Sequence, residues 1–135
     1  MIDIVVIGHG SYGTDTKKAV TFMAGPLDGF HSLDWSKDTS FDQFKNALEV
    51  LFCKAGNDIL TLVDIADSAL YKAAVQLAQD LRLSKNIDVI AGFNLGMVLQ
   101  ANASRAYVSN VHDLALLASD VGHKQIVNYD ELGKE

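Results

Sequence analysis

The stretch Ile4–Gly13, IVVIGHGSYG, decides how the rest of the chain is interpreted. Its first residues are β-branched and apolar without alternation, which is typical of a strand buried on both faces of a parallel sheet. The apolar run Ile2–Gly8 stops at His9, which lies between two glycines. A titratable side chain in such flexible backbone, at the end of a buried strand, raises the question of which other residues converge on it.

The composition is that of a small globular domain, expected to span residues 1–135. Of its 135 residues 49% are hydrophobic and 21% are charged, and the net charge of −6 gives no basic surface for a nucleic acid or an anionic membrane. A single cysteine, Cys53, excludes an internal disulfide and a CxxC metal site. Met1 leads directly into a strand pattern with no leader, and no apolar run is long enough to span a bilayer. These features together predict a cytoplasmic domain with no direct contact with the membrane.

Strand patterns alternate with helical patterns along the chain. The predicted strands cover residues 2–8, 29–36, 57–66 and 86–94, with a short last strand at 124–129, KQIVNY. The predicted helices lie within 11–25, from 39 or 40 onward, and within 68–83, 95–106 and 110–122. This alternation predicts an α/β fold, an open, mostly parallel sheet with helices on both faces.

Two further predictions concern where individual side chains pack. The buried face of the first helix is predicted to carry Tyr12, Ala19, Val20 and Met23. Trp35, near the end of the second strand, is assigned either to the core or to a dimer interface.

The carboxyl ends of parallel strands lie along one edge of the sheet, where ligands bind. If the strand order is the common 2-1-3-4, His9 and Asp64, which follows the third strand, face each other at that edge. A carboxylate that accepts from one imidazole nitrogen fixes the tautomer and leaves the other nitrogen free as a nucleophile. A histidine that serves only as a polar loop residue is the alternative, and the residues alone leave both interpretations open.

The residues around His9 are suited to a phosphoryl group. Gly10 lets the backbone approach closely, and the start of the next helix supplies amides and the positive end of a helix dipole. Ser11 and Thr14 are candidate hydroxyl donors. No Walker sequence or GxGxxG is present and the histidines lack HxxxH spacing, so neither a nucleotide cofactor nor a metal is expected.

Three blocks of the sequence resemble a known family. IVVIGHG followed by a helix that reaches MAGP, LTLVDIADSALYKAA, and DVIAGFNLGMVLQA match, in order and over most of residues 1–104, the mannose-family IIA components of the bacterial phosphoenolpyruvate:sugar phosphotransferase system. The resemblance implies that His9 accepts a phosphoryl group from the phosphohistidine of HPr and passes it to a histidine of a IIB component during sugar uptake. It also implies that Asp64 is the aspartate beside the active histidine and that Asn94 is framework of the site. The family fold is commonly a homodimer with an exchanged C-terminal strand, for which 124–129 is the candidate here.

The sequence departs from the family after Asp64. The family turn usually contains Gly-Gly-Ser-Pro, whereas this chain has IADSAL without glycine or proline. Either Ser68 replaces the family serine one position earlier, as a further candidate for the phosphate environment, or that hydroxyl is missing. Asp67 adds a second carboxylate that would repel a phosphate unless it points outward.

The same fold also allows three other functions. A subunit that carries phosphoryl groups for dihydroxyacetone kinase and a degenerate regulatory or binding module both stay open. A response-regulator receiver phosphorylated on Asp64 is disfavoured, because the first strand lacks the acidic pair that would hold Mg²⁺ and a later strand-end lysine is missing.

Overall fold

A computed structural model describes the backbone of residues 1–132. Within that range the chain forms four strands and six helices, whose order alternates as the sequence predicts. The strands are β1 (Asp3–His9), β2 (Phe30–Trp35), β3 (Asp58–Val63) and β4 (Asn86–Ala91). The helices are α1 (Tyr12–Ala24), α2 (Phe41–Lys54), α3 (Ala69–Asp80), α4 (Leu95–Ser104), α5 (Val111–Lys124) and α6 (Tyr129–Leu132).

The sheet is parallel throughout, with strand order β2-β1-β3-β4. The predicted fold class and the order 2-1-3-4 are therefore confirmed. β1 lies at the centre and is almost completely buried, whereas β2, the less apolar strand, lies at one edge. The carboxyl end of β1 thus lies between those of β2 and β3, which brings residues of three strands to the position of His9.

Alternate residues of β1 belong to two separate hydrophobic cores, one on each face of the sheet. Val5 and Ile7 pack with α2 and α3, and Ile4 and Val6 pack with α1, α4 and α5. Two buried faces explain why the sequence of β1 is continuously apolar instead of alternating.

The predicted buried face of α1 is only partly correct. Val20 is fully buried, but Tyr12 and Met23 are about half exposed, and Gly13 and Thr16 take the buried positions instead. A Cβ atom at Gly13 would lie 2.8 Å from the carbonyl oxygen of Leu33. The absence of a side chain therefore lets the first turn of α1 approach the sheet closely, and this close approach rotates the larger residues outward.

The predicted last strand is wrong for the single chain. Lys124 is the final residue of α5, residues 125–128 have no regular structure, and α6 begins at Tyr129. Ile126 and Val127 are 79% and 60% exposed. These residues have the apolar character of a strand but no neighbouring strand to pair with.

Arg105, just after α4, was not singled out by the sequence. Its guanidinium is buried and donates to the backbone carbonyls of Ile2, Asp28 and Gly29, which lie before or at the start of β1 and β2. Burial lowers the pKa of Arg105 below its ordinary value, and the nearby carboxylates of Asp3 and Asp28 act in the opposite direction. The contacts tie α4 to the amino-terminal edge of the sheet.

None of the helices in the described range is both long and apolar enough to cross a membrane.

One hydroxyl in the core has no hydrogen-bond partner among the described residues. Thr61, in the middle of β3, is fully buried and its Oγ1 is unpaired. We expect Thr61→Val to raise the free energy of unfolding by about 1 kcal/mol, because it removes a desolvated polar group at similar volume. Urea unfolding measures this change.

The matched control is Thr16→Val. The Thr16 hydroxyl is also buried but donates to the carbonyl of Tyr12 at 2.7 Å, so its replacement should not stabilise the fold. Equal effects of the two substitutions on the free energy of unfolding would contradict the assignment of an unpaired hydroxyl at Thr61.

Candidate functional site

His9 and Asp64 are in contact at the carboxyl edge of the sheet. Asp64 Oδ2 lies 2.9 Å from His9 Nδ1 and also accepts from the His9 backbone amide at 2.9 Å, while Oδ1 lies 3.2 Å from Nδ1. The Asp64 side chain is only 7% exposed, whereas that of His9 is 40% exposed. One carboxylate therefore fixes both the backbone and the ring of the histidine, and the ring still reaches solvent.

The pair determines which imidazole nitrogen is available. A carboxylate oxygen only accepts, so its bond to His9 requires the proton on Nδ1. Among the side chains of residues 1–130 and the backbone of residues 1–132, no group bonds to Nε2. The geometry leaves the Nε2 lone pair free, as a nucleophile or a proton acceptor.

A cavity of about 610 Å³ opens beside the histidine. It is lined by His9, Gly10, Trp35, Ser36, Lys37 and Thr39. The sequence interpretation did not include residues 35–39 in the site. The signal that could have found them is the register, because His9 pairs with Trp35 and the end of β2 therefore flanks the end of β1.

Gly10 lines this cavity, but its amide is not free. It has φ +65° and donates to the carbonyl of Trp35 at 2.9 Å, which fixes the turn between β1 and α1. The amides of Ser11, Tyr12 and Gly13 have no acceptor within the described residues. These three groups, at the start of α1, are the backbone donors that remain for an anion.

The predicted hydroxyl donors are all engaged elsewhere. Ser11 donates to Asp15 at 2.7 Å, and Thr14 donates to Asp34 through both its backbone amide and its hydroxyl. Ser68 caps α3: its oxygen accepts from the amide of Tyr71 and its hydroxyl donates to the carbonyl of Ile65. None of the three side chains lines the cavity beside His9.

The turn that departs from the family pattern keeps a compact backbone. Asp67 has φ +58°, a left-handed conformation that glycine adopts without strain and aspartate tolerates better than most residues. Its side chain is exposed.

Asn94 serves as framework. Its side-chain oxygen caps α4 by accepting from the amide of Met97 at 3.0 Å, and its amide nitrogen donates to the carbonyl of Gly122 in α5. The cap holds two helices together after β4. Among the side chains of residues 1–130, no group of three or more histidines, cysteines or carboxylates is arranged to hold a metal ion.

Comparisons with known proteins agree with this geometry. The model of a protein family described as the PTS system fructose IIA component matches residues 3–117. The sorbose-specific EIIA component of the PTS from Lacticaseibacillus casei is 26% identical over 114 residues, which cover 82% of this chain and 80% of that protein.

Two solved structures share the fold. Phosphotransferase system component EIIA from Streptococcus agalactiae superimposes with a TM-score of 0.91 at 24% identity, over 97% of this chain and 99% of that one. The mannose/sorbose-specific IIA subunit from Enterococcus faecalis gives a TM-score of 0.84 at 21% identity, over 93% and 92% of the two chains. Since the family model covers most of the sequence, the chain belongs to the mannose-type IIA components of the phosphotransferase system.

Proposed function

We propose that this chain is a cytoplasmic phosphoryl carrier that accepts a phosphoryl group from phospho-HPr on Nε2 of His9 and transfers it to a IIB component during sugar uptake. The observation that carries the proposal is the contact between His9 and Asp64. The Asp64 carboxylate binds Nδ1 of the imidazole and leaves Nε2 free beside a cavity. The relative from Lacticaseibacillus casei is sorbose-specific, which favours sugar uptake over the supply of a dihydroxyacetone kinase.

The transfer is a displacement at phosphorus. The Nε2 lone pair of His9 forms a bond to phosphorus while the phosphorus–nitrogen bond of the donor phosphohistidine breaks, and that electron pair returns to the donor imidazole. The His9 ring keeps its proton on Nδ1 and becomes cationic, so the Asp64 carboxylate then stabilises a full charge at 2.9 Å. The reverse sequence delivers the phosphoryl group to the histidine of IIB.

The surroundings supply positive potential for the phosphoryl oxygens. The unpaired amides of Ser11, Tyr12 and Gly13 lie at the positive end of the dipole of α1. Lys37 lies at the rim of the cavity. Such fixed groups stabilise the charge on a transferring phosphoryl group without reorganisation, which is the main contribution a protein makes to this reaction.

Labelling tests the carrier function directly. Incubation with phosphoenolpyruvate, the first enzyme of the phosphotransferase system and HPr should add the mass of one phosphoryl group, in an acid-labile and base-stable form. His9→Gln should take up none. An unlabelled wild-type protein would refute the carrier function, and a labelled His9→Gln protein would refute the assignment to His9.

The role of Asp64 is tested by Asp64→Asn. The amide oxygen still accepts from the His9 ring but carries no charge, so we expect the rate of transfer from phospho-HPr to fall by about tenfold or more. The free energy of unfolding should change by less than about 1.5 kcal/mol, because the hydrogen bonds are kept. Rapid-quench kinetics and urea unfolding measure the two quantities.

A second Asp–His pair provides the control. Asp3 Oδ2 lies 3.0 Å from His31 Nε2 at the amino-terminal edge of the sheet, about 20 Å of strand away from His9. Asp3→Asn should leave the rate of transfer within about twofold of the wild type. Transfer by Asp64→Asn at the wild-type rate would remove the carboxylate from the mechanism.

The proposal includes a homodimer. Among the described strands β4 pairs only with β3, so its outer edge is open, and the exposed residues Ile126 and Val127 lie in an irregular segment after α5. An exchanged segment 124–129 would cover apolar side chains and pair an open strand edge in one step.

Light scattering after gel filtration tests the dimer. We expect the mass of two chains for the wild type and for Phe22→Lys, which alters an exposed apolar residue on α1. Ile126→Lys should shift the protein to the monomer, because it would bury a charge in the interface. A wild-type monomer at micromolar concentration would contradict the proposal.

A further inference from the structure

Trp35 lies directly beside the histidine in the sheet. It is the last residue of β2 and the register partner of His9, so the two side chains project from the same face. The centroids of the two rings are 5.9 Å apart and the ring planes are tilted by 48°. The imidazole of His9 therefore has two neighbours: Asp64 binds its Nδ1, and the indole of Trp35 lies beside its ring.

The indole is itself held in place. Its Nε1–H donates to the carbonyl of Thr39 at 2.9 Å, and Phe41 packs on it edge-on with the centroids 5.4 Å apart. Phe44, which is fully buried, lies behind it at 6.4 Å. A hydrogen bond and two aromatic neighbours therefore hold the Trp35 side chain against α2 and the segment that connects β2 to α2.

We propose that Trp35 is a positioning residue for His9. Together with Asp64 it restricts rotation of the imidazole, so that Nε2 is presented to the cavity that both residues line. It also provides an electron-rich ring about 6 Å from the charge that the imidazole gains on phosphorylation, a distance at which cations are attracted to indole. This inference rests on the proposed carrier function.

Packing accounts for only part of the Trp35 side chain. Trp35 packs against the core that contains Phe44 and Phe52, which are at most 1% exposed. Trp35 is instead half-buried, with part of its surface on the cavity and its ring within contact range of the histidine. The two roles differ in what they do to the rate of transfer, and this difference can be measured.

Single-turnover transfer from phospho-HPr should be compared for the wild type, Trp35→Phe and Trp35→Leu. We expect Trp35→Leu to lower the maximal rate constant by roughly tenfold without raising the half-saturating HPr concentration, since the ring orients a reacting group. Trp35→Phe, which keeps an aromatic face, should recover the rate to within about threefold of the wild type.

The control for lost packing is Phe52→Leu. Phe52 belongs to the same core but lies outside the aromatic contacts of Trp35, so this variant should lose stability and keep the rate. A wild-type maximal rate for Trp35→Leu, or an equal loss of rate in Phe52→Leu, would overturn the positioning role. An effect confined to the half-saturating HPr concentration would also overturn it, because it would assign Trp35 to docking.

A partner-free measurement separates this inference from the carrier function. Phosphoramidate, a small chemical phosphoryl donor, should phosphorylate His9 faster in the wild type than in Trp35→Leu. Because Trp35 is the only tryptophan, its emission should change as His9 is phosphorylated and stay constant in His9→Gln. Equal rates of phosphorylation by phosphoramidate in the two proteins, or an unchanged emission, would refute the role of Trp35 even if HPr labels the protein. If HPr fails to label the protein, the carrier function is refuted. The phosphoramidate rates and the emission then still decide the role of Trp35.

Discussion

The hydrogen bond between Asp64 and the Nδ1 of His9 is the interaction on which the proposed chemistry of this protein depends. It links the ends of two adjacent parallel strands, and the same oxygen also accepts the backbone amide of His9. The bond therefore sets the tautomer, the ring orientation and the local backbone together. The Asp64 carboxylate is buried, whereas the His9 imidazole is partly exposed to solvent.

The sheet around this pair is organised so that its two edges have different roles. At the amino-terminal edge, the Arg105 guanidinium donates to three backbone carbonyls and the Asp3 carboxylate contacts His31. Polar groups at this edge are therefore paired with one another. At the carboxyl edge, the amides at the start of α1 and the Nε2 of His9 are left without partners among the described residues. The unsatisfied polar groups described above, which the proposed function requires for a phosphoryl group, therefore lie at the carboxyl edge.

Much of this arrangement could be predicted from the sequence, because it follows from periodicity. The continuous apolar run of β1 indicated a strand buried on both faces, and the alternation of strands and helices gave a parallel sheet whose carboxyl ends meet. The contact between His9 and Asp64 depended on one further assumption, the order 2-1-3-4, which the structure has. Residues that directly follow a parallel strand are therefore the easiest to place, because they lie at the carboxyl edge of the sheet.

Other features depend on individual contacts that a pattern does not contain. Ser11, Thr14 and Ser68 are predicted to contribute hydroxyls to a phosphate site. In the structure these hydroxyls donate to the carboxylates of Asp15 and Asp34 and to the carbonyl of Ile65. Which acceptor a hydroxyl meets depends on its side-chain conformation and, for Thr14, on the contact between α1 and the end of β2, which a sequence pattern does not give. Trp35 was assigned to the core or an interface, because only the register of β2 against β1 shows that it stands beside the histidine.

The most direct test of the account is the ¹⁵N NMR spectrum of the His9 imidazole before and after phosphorylation. The account predicts a proton on Nδ1 in the free protein and a phosphorus–nitrogen coupling at Nε2 in the phosphorylated one. A proton on Nε2 in the free protein, or phosphorus bound to Nδ1, would contradict it.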